Sequence, residues 1–480
     1  MSKFDYNLIV IGGGTAGLIT ANVAAQAKAK VALVERHLMG GDCLNTGCVP
    51  SKALIASAKL AHHARRAEEF GIKINGSIEV DFPKIMGQVQ NIIDYIAPID
   101  SRERYRGLGC DCFEAQATVI SKHEVKIGEK TFTTAHIVIA SGATPVIPKV
   151  PGLEALKVLT SENLWSIRTL PKRLLVVGSG PIGCDLAQAF ARLGSEVTMV
   201  SNSATILTRE DADAAAHVQA IFIHEGINLH LSAEMQRFSS ANGVHRLELK
   251  TGEKLHHVEF DEVLMAVGRR ANTRGLGLEN IGVAFNENGT IKVDAYQRTN
   301  LSNVWACGDV SGPYQFTHMA AHQAGYVAMN ILASPLKKFA VDYSQVPWVT
   351  YTDPEIARVG LNETEARDKK IAFDVAHFSL SHQDRAITER ENKGFIKILT
   401  PPGSDRILGA TIVGAHAGEI LAEFNLAVKN KLGLKAILNT IHPYPTFAEA
   451  NKSAANEWRK KTIPLKLLPY AQKYFAWRRG

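Results

Sequence analysis

The stretch Gly40-Gly41-Asp42-Cys43-Leu44-Asn45-Thr46-Gly47-Cys48-Val49-Pro50-Ser51-Lys52 is the part of the chain around which the other motifs are organised. Four residues separate its two cysteines, which is short for a zinc knuckle and unusual for a structural disulfide. The spacing suits two sulfurs at the start of a helix that close and open a small ring. One thiol would face a substrate and the other a cofactor. The stretch therefore predicts a redox-active pair, Cys43 and Cys48.

Length and composition indicate a soluble protein of several domains. A chain of 480 residues is too long for one ordinary core, so about two to four domains are expected. No apolar run approaches the roughly 20 residues that cross a bilayer. Six cysteines are too few for a secreted disulfide framework, and no signal peptide precedes the first apolar run. These features predict a cytoplasmic protein.

A glycine fingerprint follows the first apolar run, Asn7–Ile11. Its glycines, Gly12, Gly14 and Gly17, permit a tight turn and the close approach of a pyrophosphate to a helix N-terminus. A second apolar run ends in Glu35, which can accept hydrogen bonds from a ribose. The strand-like stretch that closes this unit carries the predicted cofactor residues Ala140, Ser141 and Gly142. Strand, fingerprint, helix and acid together predict a dinucleotide fold.

A second fingerprint, Gly178, Gly180 and Gly183, follows the run Leu174–Val177. Two dinucleotide folds imply two dinucleotides. Ser201 stands where the first fold has Glu35, and an NAD site requires a carboxylate at this position, which would repel a 2′-phosphate. The second site is therefore predicted to favour NADPH, although Arg209 is the nearest following arginine. Gly268 is predicted to close the second site.

Two further features extend the first site. Asp309 follows an apolar strand. Its carboxylate suits a hydrogen bond from a ribitol hydroxyl of FAD, the dinucleotide predicted for the first site. A helix that starts near His318 would direct its positive end at the flavin ring. From about Val341 the pattern changes to an α+β domain without a glycine fingerprint. The predicted domains are an FAD-binding domain (1–150 and 275–340), an NAD(P)-binding domain (151–274), an interface domain (341–457) and a basic-apolar tail (458–480).

In this order the motifs resemble those of class I pyridine nucleotide–disulfide oxidoreductases, the family of dihydrolipoyl dehydrogenase, glutathione reductase and mercuric reductase. The resemblance covers residues 4 to about 456. It implies an α/β protein with two Rossmann-like domains, for FAD and NAD(P), and a C-terminal α+β dimerisation domain. It further implies that Cys48 contacts the flavin, that Cys43 attacks substrate, and that Lys52 lies near the flavin and pairs with Asp185. The family forms homodimers in which one subunit's third domain completes the other subunit's site.

The sequence departs from the family pattern in its last motif. Where dihydrolipoyl dehydrogenases carry a histidine held by a glutamate five residues later, this chain has Tyr444, with Glu449 at that distance. An unperturbed phenol titrates near pH 10 and is a poor base at neutral pH. Mercuric reductases also carry a tyrosine here, but they have a vicinal cysteine pair near the chain end, and no cysteine follows Cys307. Asp185 is one methylene shorter than the usual glutamate, which predicts a looser pair with Lys52.

The leading hypothesis is an FAD-dependent NAD(P)H oxidoreductase similar to the mercuric reductase core, with a small disulfide or soft metal ion as acceptor. The alternatives are a dihydrolipoyl dehydrogenase and a membrane-associated flavin redox sensor. No resident metal is predicted, because Cys110 and Cys112 have no further ligand nearby in sequence. The tail from Trp458 carries seven basic and no acidic residues, so it could touch an anionic membrane or pack on the dimer. Since these charges account for the whole net charge of +7, no nucleic-acid face is expected.

Overall fold

The computed structural model of the chain describes residues 3–334, 336–462 and 465–480. They divide into two units, Met1–Leu207 with Ala220–Asp342, and Thr208–Gln219 with Tyr343–Gly480. The first unit therefore contains both glycine fingerprints, and the second contains the last motif. Within the described ranges, no helix is both long and apolar enough to cross a membrane. The predicted domain limits stay predictions.

The first apolar run forms the central strand of a sheet that carries the first fingerprint. The elements of this part are β1 (Tyr6–Ile11), α1 (Thr15–Gln26), β2 (Val31–Glu35), α2 (Gly41–Asn45), α3 (Cys48–Arg65), α4 (Phe82–Ile96), α5 (Arg102–Gly107), β3 (Cys110–Glu114), β4 (Ala117–Ser121), β5 (Glu124–Ile127), β6 (Lys130–Ile139) and β7 (Ala143–Pro145). The order β3-β2-β1-β6 is parallel, and β4 and β5 continue the sheet as antiparallel strands.

Both faces of this sheet are covered, which explains why β1 is apolar from Leu8 to Ile11. Leu8 and Val10 pack into one apolar cluster, whereas Ile9 and Ile11 pack into another. Successive side chains of a strand point to opposite faces, so a strand covered on both sides has no polar alternation. The continuous apolar run that precedes Gly12 is the sequence pattern of such a strand.

The second fingerprint lies in a second parallel sheet. Its elements are β8 (Val158–Leu159), β9 (Arg173–Val177), α6 (Pro181–Leu193), β10 (Glu196–Val200), α7 (Ala212–His224), β11 (Asn228–His230), the antiparallel strands β12 (Ala233–Ala241), β13 (Val244–Thr251) and β14 (Lys254–Phe260), then β15 (Glu262–Met265) and β16 (Arg269–Ala271). The sheet order is β11-β10-β9-β15-β8. Strand β16 pairs with β7, so the exit of the second fold is tied to the end of the first.

The chain then returns to the first sheet. Strand β17 (Val304–Ala306) pairs parallel with β6, and α8 (Thr317–Ala333) follows it. Ala320, Ala324 and Val327 of α8 share an apolar cluster with Ala16 and Ala21 of α1. The two helices whose N-termini point at the predicted flavin site therefore rest on the same face of one sheet.

The last region is an antiparallel sheet with helices. Its elements are β18 (Pro347–Thr350), β19 (Glu355–Gly360), α9 (Glu363–Asp368), β20 (Asp374–Ser379), α10 (Asp384–Thr388), β21 (Phe395–Thr400), β22 (Gly409–Gly414), α11 (Ala417–Lys429), α12 (Leu434–Asn439), α13 (Glu449–Thr462) and α14 (Leu468–Arg478). The strand order is β18-β19-β22-β21-β20. One buried cluster joins this sheet to α11, α12 and α13, and Trp458 is its last member.

Candidate active site

The predicted cofactor residues gather at the carboxyl ends of parallel strands, where ligands bind in open α/β sheets. In the first sheet these residues follow the ends of β1, β2, β6 and β17: Gly12, Gly14, Gly17, Glu35, Ala140, Ser141, Gly142 and Asp309. In the second sheet they follow β9, β10 and β15: Gly178, Gly180, Gly183, Ser201 and Gly268. His318 lies in the first turn of α8 and is exposed, with its ring stacked on Phe316 at 5.2 Å.

At Gly12 and Gly41, another stretch of backbone comes so close that no larger residue would fit. A Cβ added to Gly12 would lie 2.2 Å from the carbonyl oxygen of Ala140. A Cβ added to Gly41, whose φ is +57°, would lie 2.6 Å from Cα of Gly14. The loop that carries the cysteines is therefore packed directly against the first fingerprint, and only glycine permits that contact.

The two cysteines lie in two consecutive helices, Cys43 in the short helix α2 and Cys48 in the long helix α3. Cys43 lies within α2, and Cys48 is the first residue of α3, with Gly47 between the helices. Both are present as thiols. The indole of Trp165 donates to the carbonyl oxygen of Thr46 at 2.9 Å, which fixes the connection between the helices. A sulfur at the first turn of a helix is stabilised as a thiolate by the backbone N–H groups there.

The electrostatics make the two thiols unequal. A hydrogen bond from Cys43, aided by the hydroxyl of Thr317 and the charge of Lys52, lowers the pKa of Cys48 to about 6. The same hydrogen bond and burial raise the pKa of Cys43 far above its ordinary value. The Sγ of Cys48 lies 3.2 Å from Oγ1 of Thr317, the first residue of α8. At neutral pH the pair therefore holds one negative charge, on Cys48.

Lys52 and Asp185 form an ion pair, with Nζ 3.4 Å from Oδ2. Asp185 is 6% exposed on α6, and the lysine side chain is 38% exposed on α3. The distance exceeds that of a short charge-assisted hydrogen bond. This contact joins the dithiol helix to the helix of the second fingerprint.

Arg269 connects the dithiol loop to the end of β17. Its guanidinium forms an ion pair with Asp42, lies 3.6 Å from Oδ2 of Asp309, and donates to the carbonyl oxygen of Ala143 at 2.6 Å. Burial raises the pKa of Asp309 to about 6, although Arg269 opposes this shift. Burial also raises the pKa of Asp42, again against the effect of Arg269. One cation therefore compensates two carboxylates that flank the predicted flavin and dithiol residues.

The two predicted ribose positions differ in their hydrogen bonds. The carboxylate of Glu35 accepts from the backbone N–H of Gly13 at 2.7 Å and of His37 at 2.8 Å. In the second fold the buried hydroxyl of Ser201 accepts from Ser179 at 2.8 Å. The second position thus contributes a neutral hydroxyl whose orientation is fixed, and no negative charge.

The partner of Tyr444 differs from the family pattern. Its hydroxyl donates to Oδ2 of Asp384 at 2.8 Å, whereas Glu449 begins α13. The hydrogen bond to Asp384 raises the pKa of the Tyr444 phenol, and 69% of the residue is exposed. His442 lies 2.9 Å from the carboxylate of Glu423 through Nε2. The expected arrangement of residue 444 with Glu449 is therefore replaced by two separate pairs.

Cys110 and Cys112 lie outside this arrangement. They belong to β3, where Cys110 is buried and Cys112 is half-buried. Burial raises the pKa of both thiols, to about 11 for Cys110. No group of three or more His, Cys, Asp or Glu residues suited to a metal ion occurs in the described part of the chain.

Comparison with known proteins identifies the family. Residues 6–324 match the profile described as pyridine nucleotide-disulphide oxidoreductase, and residues 346–455 match its dimerisation domain. The chain belongs to this family of flavoprotein oxidoreductases, which use FAD and NAD(P)H. The predicted family and fold class are thus confirmed.

Several characterised relatives are similar over nearly their whole length. A dihydrolipoyl dehydrogenase from Chlamydia muridarum is 36% identical, over 92% of this chain and 95% of its own. A mercuric reductase from Streptomyces lividans is 35% identical, over 96% of this chain and 98% of its own. A solved structure of the HOCl-induced flavoprotein disulfide reductase RclA from Escherichia coli, in a Cu(II) complex, gives a TM-score of 0.84 at 27% identity, covering 95% of this chain and 99% of that one.

The residues of the first site fit the family's FAD. A Cβ added to Gly14 would meet only Cα of Gly41, at 3.6 Å, so space is open at the N-terminus of α1. The half-buried carboxylate of Asp309, just after β17, and the carboxylate of Glu35, at the end of β2, supply acceptors. A dinucleotide offers hydroxyl donors and a pyrophosphate that complement these groups.

Four site residues escaped the sequence analysis. Arg269 and Thr317 directly follow and precede the predicted residues Gly268 and His318, so a wider window around those motifs would have found them. Asp42 lay within the quoted dithiol stretch. Asp384 had no sequence signal, because its contact with Tyr444 spans 60 residues of chain.

Proposed function

We propose that this chain is an FAD-dependent NAD(P)H reductase that passes electrons through Cys43 and Cys48 to a soft metal ion or a small disulfide. When bound, FAD supplies the hydride-accepting ring that connects the nicotinamide to the sulfurs. The residues of the chain then have separate tasks. Cys48 carries the thiolate beside the flavin, Cys43 attacks the acceptor, and Lys52 with Asp185 holds the N-terminal turns of α3.

The observation that carries this proposal is the hydrogen bond from Tyr444 to Asp384. A carboxylate that accepts from a phenol stabilises the protonated phenol, and here it raises the Tyr444 pKa. Tyr444 would therefore stay protonated at neutral pH and would not act as a base. Oxidation of a dihydrolipoyl thiol requires a base, whereas reduction of a disulfide requires a donor for the departing thiolate. A protonated residue 444 suits disulfide reduction, and a soft metal ion that displaces the Cys43 proton when it binds needs no proton donor.

On the basis of the family resemblance, the proposal includes a Tyr444 that acts at the dithiol of the partner subunit. Glu449 would contribute negative charge near the phenol, since it also raises the Tyr444 pKa slightly. The neutral Ser201 supports a preference for NADPH, because no carboxylate there repels a 2′-phosphate.

The decisive experiment is anaerobic reduction of the holoenzyme by NADH and by NADPH, followed by lipoamide, glutathione disulfide, Hg(II) and Cu(II) as acceptors. Cu(II) is included because the RclA structure is a Cu(II) complex. We expect turnover with at least one acceptor, its loss in Cys43→Ser, and its retention in Cys112→Ser, which changes a half-buried cysteine of β3. Retained turnover in Cys43→Ser would exclude the dithiol mechanism.

The same panel tests the dihydrolipoyl dehydrogenase alternative, which the identity to the Chlamydia muridarum enzyme favours. If dihydrolipoamide reduces NAD⁺ faster than NADPH reduces any acceptor, the protein is a dehydrogenase. In that case Tyr444→Phe should leave the rate unchanged, because the phenol would have no part in deprotonating the substrate. The reductase proposal instead predicts a loss of about tenfold with a disulfide acceptor.

A further inference from the structure

The last helix, α14, exposes a surface that the family match does not explain. The dimerisation profile ends at residue 455, and α14 spans Leu468–Arg478. Every side chain of this helix except Ala471 is exposed, and none is buried. A helix of 11 residues is marginally stable in water without tertiary contacts. The exposed helix is therefore expected to be stabilised by contact with a partner.

The exposed surface has a defined chemistry. Tyr470, Tyr474 and Trp477 follow the spacing i, i+4, i+7, which places them along one side of the helix. We call these three residues the aromatic stripe. They are 70%, 50% and 77% exposed, and the rings of Tyr474 and Trp477 are 6.1 Å apart. Leu467, which precedes the helix, and Leu468, its first residue, add further exposed apolar surface and are 58% and 50% exposed.

Cations flank the aromatic stripe. Lys473 precedes Tyr474, and the guanidinium of Arg478 lies 6.0 Å from the centre of the Tyr474 ring. Residues 458–480 contain seven Lys and Arg residues and no Asp or Glu. The rest of the chain is balanced, because 54 basic and 47 acidic residues differ by those seven. The excess positive charge of the protein is thus concentrated in this segment.

We propose that α14 binds the surface of an anionic lipid membrane through its aromatic stripe and the adjacent cations. Tyr and Trp rings prefer the headgroup region because they combine an apolar ring with a polar edge. Lys and Arg are attracted to anionic headgroups at the same depth. A nucleic acid is a poorer match, because a phosphate backbone requires a basic groove, and the charge outside this segment balances.

The surface would bring the enzyme to the membrane without crossing it. The stripe is about two turns long, so it can insert only to the depth of its side chains. Binding should weaken at high salt, because part of the attraction is between exposed charges. It should also be weak on neutral lipid, where only the aromatic contribution remains.

The test is co-sedimentation of the full-length FAD-loaded protein with vesicles of phosphatidylcholine alone and of phosphatidylcholine with phosphatidylserine. We expect at least about tenfold more binding to the anionic vesicles and a similar loss in Tyr470→Ser/Tyr474→Ser/Trp477→Ser. Lys473→Glu/Arg478→Glu should also reduce binding. Leu255→Ser, which changes a residue of β14 that is 60% exposed, is the matched control and should bind normally.

Two results would overturn this inference. One is equal sedimentation of the wild type and the triple variant. The other is an intact dimer in the wild type that dissociates in the triple variant, which would make α14 a contact between subunits. Flavin content and turnover in solution should be unchanged in all variants, so a failure here is distinct from a failure of the proposed reductase activity.

Discussion

Arg269 shows how one side chain can organise a site from the middle of the chain. Its guanidinium is 14% exposed and contacts both Asp42 beside the dithiol and Asp309 at the end of β17. Without this cation, two carboxylates with raised pKa values would lie close together at the predicted FAD site. Removing one partner of such an arrangement leaves uncompensated buried charge, which costs more than the intact pair contributes.

We predict that Arg269→Gln lowers the free energy of unfolding by about 2 kcal/mol, a value reduced from that of a fully buried pair because Asp42 is 35% exposed. The variant should also lose FAD more readily on dilution. Adding Asp42→Asn should recover part of both losses, since it removes one of the two uncompensated charges. Urea unfolding and flavin fluorescence after gel filtration measure the effects. Arg270→Gln, at the exposed neighbouring position, is the control; an equal loss there would refute the specific role of Arg269.

The unequal thiols lead to a pH prediction. A thiol whose pKa is lowered to about 6 is a thiolate above that pH and is protonated below it. In the two-electron-reduced holoenzyme, the Cys48 thiolate beside the flavin should give a charge-transfer absorbance band. This band should therefore disappear as the pH falls through about 6. Thr317→Val should move the midpoint upward by about one unit, because it removes a hydroxyl that stabilises the thiolate. Ser57→Ala on α3, whose hydroxyl bonds to Ala53, should leave the midpoint unchanged.

At the scale of elements, the segment Thr208–Gln219 is held by a buried network. It includes the start of α7 and belongs to the same unit as the antiparallel sheet. Lys397 of β21 is 2% exposed, and its Nζ lies 2.8 Å from Asp211, 2.7 Å from Asp213 and 3.0 Å from Glu363. A second network joins Glu210 to Arg358 and to the indole of Trp348. These contacts fix the segment Thr208–Gln219 on the antiparallel sheet of its own unit.

We predict that Lys397→Met destabilises the protein by about 3 to 5 kcal/mol, because it leaves buried Asp211 and two neighbouring carboxylates without their shared cation. Chemical denaturation measures the loss, and hydrogen exchange should show faster exchange in the first turns of α7. The exposed Lys393 lies four positions earlier, and Lys393→Met is the matched control. A loss below 1 kcal/mol in Lys397→Met would show that the network is dispensable.

At the scale of the whole molecule, the dimerisation domain allows the proposed sharing of a site to be tested. Mixed dimers of a Cys43→Ser subunit and a Tyr444→Phe subunit would contain one intact site if each site takes its tyrosine from the partner. If both residues came from the same subunit, each site would carry one substitution. We therefore expect mixed dimers to recover about half of the wild-type rate with a disulfide acceptor. Mixed dimers no faster than the Tyr444→Phe homodimer would assign both residues to one subunit.

The sequence by itself determined the family, the two dinucleotide folds and the dithiol. These features depend on short-range spacing: a glycine must follow a strand where a pyrophosphate approaches, and two cysteines must stand near a helix start. Each such motif is continuous in the chain, and a local steric requirement explains why its residues are needed. The apolar run of β1 is likewise a local pattern, and it suits the strand covered on both faces that the structure contains.

Only the tertiary structure decided which charged groups meet. Arg269 and Asp42 are 227 residues apart, Lys52 and Asp185 are 133 apart, and Tyr444 finds Asp384 in place of Glu449. A long side chain contacts whatever the fold brings within a few ångströms, and no local pattern encodes that partner. The sequence therefore predicted the two sulfurs that we propose carry the electrons, and the folded chain determined their charges and the partner that keeps Tyr444 protonated, since both depend on groups brought together from distant parts of the chain.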